Sequence, residues 1–174
     1  MVVDILELES PVYPEYQTIP DLFSTVSPCR PVRYVIDLNS QSVVERHAMA
    51  YDRTPDFPAI DTRLSGLEYD EFWMLGISAA GQPGRKFFDQ LAHGSWQRGG
   101  VEDVYQVEPG FYLGGEPIYV EGSVIVQRLN THENKAEVLI LDAGHVAKGP
   151  VATLPLRHMI HPGFHASFAH ANGH

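Results

Sequence analysis

The stretch SVIVQRLNTHENKAEVLILDA, residues 123–143, decides the fold class of this chain. It holds two runs rich in valine, isoleucine and leucine, 123–129 and 136–143, on either side of the polar connection NTHENK. β-Branched runs of this length that are separated by turn residues indicate paired strands rather than helices. The stretch therefore predicts an antiparallel hairpin.

The same pattern recurs along the chain and predicts an all-β protein. The other predicted strands are RYVIDL (33–38) and SVVERHAMA (42–50) around NSQ, EFWMLGIS (71–78) and RKFFDQLA (85–92) around AAGQPG, EPIYV (116–120), and VATLPL (151–156). Antiparallel hairpins in series are typical of a sandwich, a barrel or part of a propeller. A propeller blade takes about 40–45 residues, so the chain holds about four blades at most, and no clean internal repeat selects that architecture.

The segment 7–31 differs from the rest because it is rich in proline. Its prolines are Pro11, Pro14, Pro20, Pro28 and Pro31. Proline lacks the backbone donor that a central strand needs. We expect a long surface connection here, with one helical turn at PDLFST (20–25).

Composition narrows the class of protein. The net charge is -10 and the chain has few lysines, so no basic surface is available to displace counterions from nucleic acid. The single cysteine, Cys29, excludes an intrachain disulfide and predicts a reduced, cytoplasmic protein. No glycine-rich helix start flanks Cys29, which argues against a nucleophilic role. The first residues, MVVDILELES, lack the basic and apolar pattern of a signal peptide, and no segment approaches the roughly 20 apolar residues of a membrane span, so we expect neither in this sequence.

Histidines are concentrated at the C-terminal end. Five of the nine lie in the last seventeen positions: His158, His161, His165, His170 and His174. Imidazole is a ligand for Fe, Zn, Cu and Ni, although a single histidine is more often a surface or hydrogen-bonded residue. Pro162 and Gly163 disfavour a helix that would pair His161 with His165. His165 stands out because it follows a predicted strand and a short connector, where a side chain can reach a central cleft.

Two further stretches contain candidate acidic residues. In PDFPAIDTR (55–63), Asp56 and Asp61 are either turn carboxylates or one of them orients a metal-bound histidine through its free ring nitrogen. In GFYLGGEPIYV (110–120), the glycines permit a turn into a core strand, and Glu116 fits a structural hydrogen-bond acceptor. The sequence has no phosphate loop, nucleophile elbow, CxxC or HExxH motif.

Several strings together resemble the C-terminal portion of the carotenoid cleavage oxygenases, a family that includes apocarotenoid- and lignostilbene-cleaving enzymes. The strings, in order, are VVDILELE, DFPAIDTRLSGLEYDEFW, GGEPIYV, AEVLILDA followed by GPVATLPL, and HPGFHASF. They cover roughly residues 2–168. The resemblance implies a seven-bladed β-propeller, of which residues 1–174 would form about three to four blades, with 169–174 as a disordered tail.

The resemblance also implies a chemistry. Four histidines on the propeller axis hold one Fe(II), and glutamates bind their imidazoles. The iron activates O2, and an apolar tunnel delivers a carotenoid, apocarotenoid or stilbene whose double bond is cleaved to carbonyl products. By position, His165 matches the fourth iron ligand, and Asp56 matches one of the glutamates with a side chain one methylene shorter.

The remaining ligands have no counterpart in this sequence. His47, His93 and His132 match no ligand position. We therefore expect the chain alone to be inactive, with the missing blades supplied either by a separate chain or by an upstream reading frame. The resemblance also implies peripheral contact with a membrane. Two alternatives stay open: a non-catalytic remnant that binds an apolar ligand or a partner protein, and an independent Zn or Ni site in the histidine-rich tail.

Overall fold

A computed structural model describes residues 1–10, 24, 26–83 and 86–169. The described chain forms three antiparallel sheets and two one-turn 3₁₀ helices, which confirms the all-β prediction. The predicted tail 169–174 lies outside the described residues except for Ala169, as does the predicted turn 20–25 except for Ser24. Within the described ranges, no helix is long and apolar enough to span a membrane.

The sheets follow one another along the chain. The strands are β1 (Val2–Leu8), β2 (Cys29–Asp37), β3 (Ser42–Ala48), β4 (Asp56–Ala59), β5 (Glu71–Gly76), β6 (Gln90–Ser95), β7 (Gly100–Gln106), β8 (Phe111–Val120), β9 (Ser123–Asn130), β10 (Lys135–Asp142) and β11 (Pro150–Pro155). The first sheet has the order β1-β2-β3, the second β4-β5-β6-β7 and the third β11-β10-β9-β8. The 3₁₀ helices are Thr62–Leu64 and Val146–Lys148.

The hairpins predicted from valine- and isoleucine-rich runs are present. β2 pairs with β3, β5 with β6 and β9 with β10, each antiparallel. β6 begins at Gln90, later than the predicted start at 85, because the segment before it bonds elsewhere: the Phe88 carbonyl accepts the Leu113 amide at 2.8 Å. Phe88 thereby connects the second sheet to the third.

Pro31 corrects the prediction that 7–31 contains no central strand, since it lies in β2, the middle strand of the first sheet. Its missing donor falls opposite Met49, just beyond the end of β3. The Met49 amide still donates to the Pro31 carbonyl at 2.9 Å, and the Met49 carbonyl accepts the Tyr51 amide at 3.0 Å instead. Proline is tolerated because the ladder with β3 ends at that point.

The core lies on both faces of the second sheet. Alternate residues of β5 point to opposite faces: Trp73 and Leu75 pack against the third sheet, and Phe72 and Met74 form a smaller cluster on the other face. Leu139 and Leu141 of β10, both fully buried, complete the larger cluster from the third sheet. The second and third sheets therefore share one apolar interface.

The first sheet is joined to the second by a polar cluster. Arg33 donates two hydrogen bonds of 2.8 Å to the Asp4 carboxylate, and the Tyr69 hydroxyl bonds the same carboxylate. The Arg33 guanidinium also lies 4.6 Å from the centre of the Trp96 ring, within cation–π range. All seven residues of β3, in contrast, are exposed.

Candidate functional site

His165 lies on an extended segment that follows β11 and returns to β8. The Glu116 amide donates to the Phe164 carbonyl at 2.9 Å. The Glu116 carboxylate lies 3.4 Å from Nδ1 of His165, and the Ala166 amide points to the same oxygen at 3.5 Å. Glu116 therefore contacts the segment on both sides of the histidine, through its backbone and through its side chain.

The glycines before Glu116 permit this close approach. The β8–β9 register shifts between Gly114 and Ile118, and Gly115 has a φ of +71°, a conformation that favours glycine. A Cβ atom on Gly114 would lie 3.2 Å from Cα of Pro162. The irregularity in β8 thus brings its backbone against the Pro162–Gly163 bend.

The contact with Glu116 gives the imidazole a defined polarity. An Nδ1–H that donates to the carboxylate leaves the lone pair on Nε2, and a carboxylate on one ring nitrogen is the usual partner of a metal-binding histidine. The His165 side chain is 77% exposed, so Nε2 is accessible. The residue can supply one coordinating nitrogen.

Asp56 lies near this segment, but its carboxylate has a different partner. It accepts the amide of Phe57 at 2.7 Å. Phe57 has a φ of +53°, and its ring meets that of Phe164 edge-on at 5.2 Å. The structure thus places Asp56 one residue from an aromatic contact with the histidine segment. Among the described contacts, Glu116 and not Asp56 approaches His165.

The role of Glu116 was missed by sequence reasoning, which assigned it only a structural hydrogen bond. Glu116 and His165 are 49 positions apart, and no spacing rule connects them. The signal available was the pair of glycines directly before an acidic residue inside a strand pattern, which marks a close backbone approach.

His47, His93 and His132, which match no ligand position, have other partners. His47 contacts Glu45, His132 bonds the Pro109 carbonyl at 3.0 Å, and His93 is 3% exposed and stacks on Trp73. Across residues 1–10, 24, 26–83 and 86–169, no group of three or more His, Cys, Asp or Glu side chains could hold a metal ion. The described residues therefore do not form a complete metal site.

Three pockets border the segment, and His165 itself lines the smallest of them, which has a volume of about 170 Å³. A pocket of about 470 Å³ lies between β8 and the residues after β4, and Glu116, Arg63 and Phe168 line it. A second pocket of about 270 Å³ is largely aromatic, with Phe57, Phe88 and Phe164 in its wall and Asp56 at its edge. An apolar molecule at any of these pockets would lie beside the segment that carries His165.

Comparison with known proteins identifies related sequences over nearly the whole chain. The model of the family described as retinal pigment epithelial membrane protein, RPE65, matches residues 2–170. Isoeugenol monooxygenase of Pseudomonas nitroreducens is 28% identical over 153 residues, which cover 78% of this chain and 31% of that protein. Resveratrol cleavage oxygenase 1 of Chaetomium globosum is 25% identical over 151 residues, which cover 65% of this chain and 25% of that protein.

Solved structures share the fold. Synechocystis apocarotenoid oxygenase, in its Trp149Ala form, superposes with a TM-score of 0.82 at 22% identity, over 98% of this chain and 36% of that one. A cobalt-substituted form of the same enzyme gives a TM-score of 0.81. The chain spans about a third or less of the length of these relatives.

Proposed function

The chain belongs to the retinal pigment epithelial membrane protein family, the carotenoid oxygenases, and from this premise we propose that it forms part of an oxygenase that cleaves a carbon–carbon double bond. The substrate class is an apolar polyene or stilbene, and the co-substrate is O2. The observation that supports this proposal most directly is the His165 imidazole, which the Glu116 carboxylate contacts beside these pockets. The names of the relatives, which act on isoeugenol, resveratrol and apocarotenoids, point to the same chemistry.

Oxygenases of this family use a metal cofactor, and we propose Fe2+ with His165 Nε2 as one of its ligands. When bound, the metal would activate O2. Within this chain, the Glu116 carboxylate accepts a hydrogen bond from Nδ1–H of His165 and so orients the ring. The aromatic pocket holds apolar substrate away from water. Asp56 is proposed to bond the imidazole of another ligand, one that lies outside the described residues.

A single imidazole cannot hold iron tightly, so the remaining ligands must come from polypeptide outside these residues. We propose that this polypeptide completes a seven-bladed propeller to which the present chain contributes about three to four blades. Three antiparallel sheets and the superposition on about a third of an apocarotenoid oxygenase support this arrangement.

The test is reconstitution. The chain is purified alone and together with the part of Synechocystis apocarotenoid oxygenase that it does not match, and iron content and cleavage of an apocarotenoid and of resveratrol are measured. The matching segment of the Synechocystis enzyme serves as the positive control. We expect no stoichiometric iron and no turnover from the chain alone, turnover from the complex, and loss of both iron and turnover with His165→Ala.

Two results would overturn parts of this proposal. Iron-dependent turnover by the chain alone would show that it needs no further ligands. A complex that assembles as the control does, but neither binds iron nor cleaves either substrate, would exclude the oxygenase function. That second result would favour a non-catalytic remnant that binds apolar ligands, an alternative consistent with the aromatic pocket and the incomplete donor set.

A further inference from the structure

The side-chain amide of Gln127 forms hydrogen bonds on both sides of the bend that precedes His165. Gln127 lies in β9, opposite Gly114 of β8. Its Oε1 accepts the Gly163 amide at 2.9 Å, and its Nε2 donates to the His161 carbonyl at 3.1 Å. Both bonds have ordinary lengths, and together they fix which end of the amide is oxygen.

These two bonds give hydrogen-bond partners to the backbone groups on both sides of Pro162, the His161 carbonyl and the Gly163 amide. Proline has no N–H, so the bend cannot pair with a neighbouring strand in the regular way. The Gln127 amide presents one donor and one acceptor, as a peptide group of an adjacent strand would. Gly114 leaves the space that this requires, since a Cβ there would lie 3.3 Å from Gln127 Oε1.

Besides these two bonds, the segment has an edge-on ring contact between Phe164 and Phe57 at 5.2 Å. Every described residue from 157 to 169 is exposed, so apolar burial does not fix its path. Gln127 forms hydrogen bonds with the segment on the N-terminal side of His165, and Glu116 contacts it around the histidine. Because the backbone of 161–163 leads directly to the histidine, a rotation of the bend would move the imidazole away from Glu116.

We propose that Gln127 is a positioning residue for His165: its amide holds the Pro162–Gly163 bend and thereby keeps the imidazole against the Glu116 carboxylate. The purpose of this arrangement rests on the proposed function. The geometry itself requires neither metal nor substrate, and it can be tested without them.

The experiment compares amide hydrogen exchange and imidazole dynamics by NMR in the full chain and in three variants. Gln127→Ala removes both hydrogen bonds, and we expect the Gly163 amide to exchange about tenfold faster, as the loss of a net hydrogen bond predicts. The His165 ring should become more mobile, and its contact with Glu116 should weaken. Gln127→Glu keeps an acceptor for Gly163 but loses the donor to His161, so Gly163 protection should be retained.

Gln106→Ala is the matched control, because the Gln106 amide also donates to backbone carbonyls, those of Asp89 and Val107, far from the bend. This variant should leave Gly163 and His165 unchanged, and the core amide of Leu139 should be unaffected in all variants. Unchanged Gly163 exchange and His165 mobility in Gln127→Ala would overturn the proposal, as would equal effects of Gln106→Ala. Either result leaves the iron and turnover measurements above untouched, so the two proposals can fail separately.

Discussion

Replacing Trp73 with phenylalanine tests whether one indole hydrogen bond joins the second sheet to the third. Trp73 is 3% exposed, and its Nε1–H donates to the Ala143 carbonyl, beyond the end of β10, at 2.9 Å. The ring also stacks on Tyr119 at 4.8 Å. Phenylalanine keeps an aromatic ring in place but leaves the Ala143 carbonyl without its donor.

Trp96 provides a matched comparison within the same sheet. Its Nε1 is buried and has no hydrogen-bond partner among the described residues, so Trp96→Phe removes a polar group that was already unsatisfied. Both substitutions replace an indole ring by a phenyl ring, although Trp96 is only partly buried. In Trp73→Phe, the Ala143 carbonyl loses its donor, which lowers the free energy of unfolding by about 1–3 kcal/mol. In Trp96→Phe, the cation–π contact with Arg33 becomes weaker, which lowers it by about 0.5–1 kcal/mol.

We therefore expect Trp73→Phe to lower the free energy of unfolding by about 1–2 kcal/mol more than Trp96→Phe. For a chain of this size the difference corresponds to about 2–8 °C in Tm. Urea unfolding followed by far-UV circular dichroism measures it, provided that the m-value is unchanged. The reasoning is refuted if Trp96→Phe destabilises the protein as much as Trp73→Phe.

Three further outcomes follow from burial and charge. Leu139 is fully buried in the middle of β10, so Leu139→Ala should lower the free energy of unfolding in urea by about 2–5 kcal/mol. Val151 is 69% exposed, so Val151→Ala should change it by no more than about 0.5 kcal/mol. Equal urea midpoints for the two variants would contradict this expectation. Burial raises the pKa of Cys29 to about 11, so iodoacetamide at pH 8 should modify it only after unfolding, and rapid labelling of the native chain would be inconsistent with that environment. The hydrogen bond from the Gly144 amide lowers the pKa of the Asp142 carboxyl. The stability that this carboxylate contributes is therefore present above the ordinary carboxyl pKa and is lost as the pH falls through the lowered value. Asp142→Asn should make Tm fall less steeply at acidic pH, and an unchanged dependence of Tm on pH would contradict this expectation.

The strands that sequence reasoning identified are those whose apolar runs are β-branched and continuous. β9 and β10 are recognisable because they are the central strands of the third sheet and most of their apolar residues are buried or partly buried. β7, GVEDVYQ, mixes charges with half-buried residues and carries no clear alternation. β4 is four residues long and contains both Pro58 and the positive-φ Phe57, so only its tertiary neighbours identify it as a strand.

Only part of the candidate site could be predicted from the sequence. His165 could be selected from its position after a strand and from the family resemblance. Glu116 and Gln127 could not, because their contacts with the segment depend on the irregular β8–β9 register, which sequence periodicity does not specify. The assignment of His165 as a metal ligand stays a prediction, as does that of Asp56 as a supporting carboxylate.

The three sheets are attached to one another unequally, and this predicts the order in which they unfold. The second and third sheets share the apolar cluster that contains Leu139. The first sheet is joined to the second by the Asp4–Arg33 cluster and by Met49 and Tyr51, which follow β3 and belong to the smaller apolar cluster. The outer strand β3 is exposed throughout. Amides of β3 should exchange with solvent earliest, and those of β5, β6, β9 and β10 only in complete unfolding. A protease should therefore release the first sheet before it degrades a stable remnant of the other two.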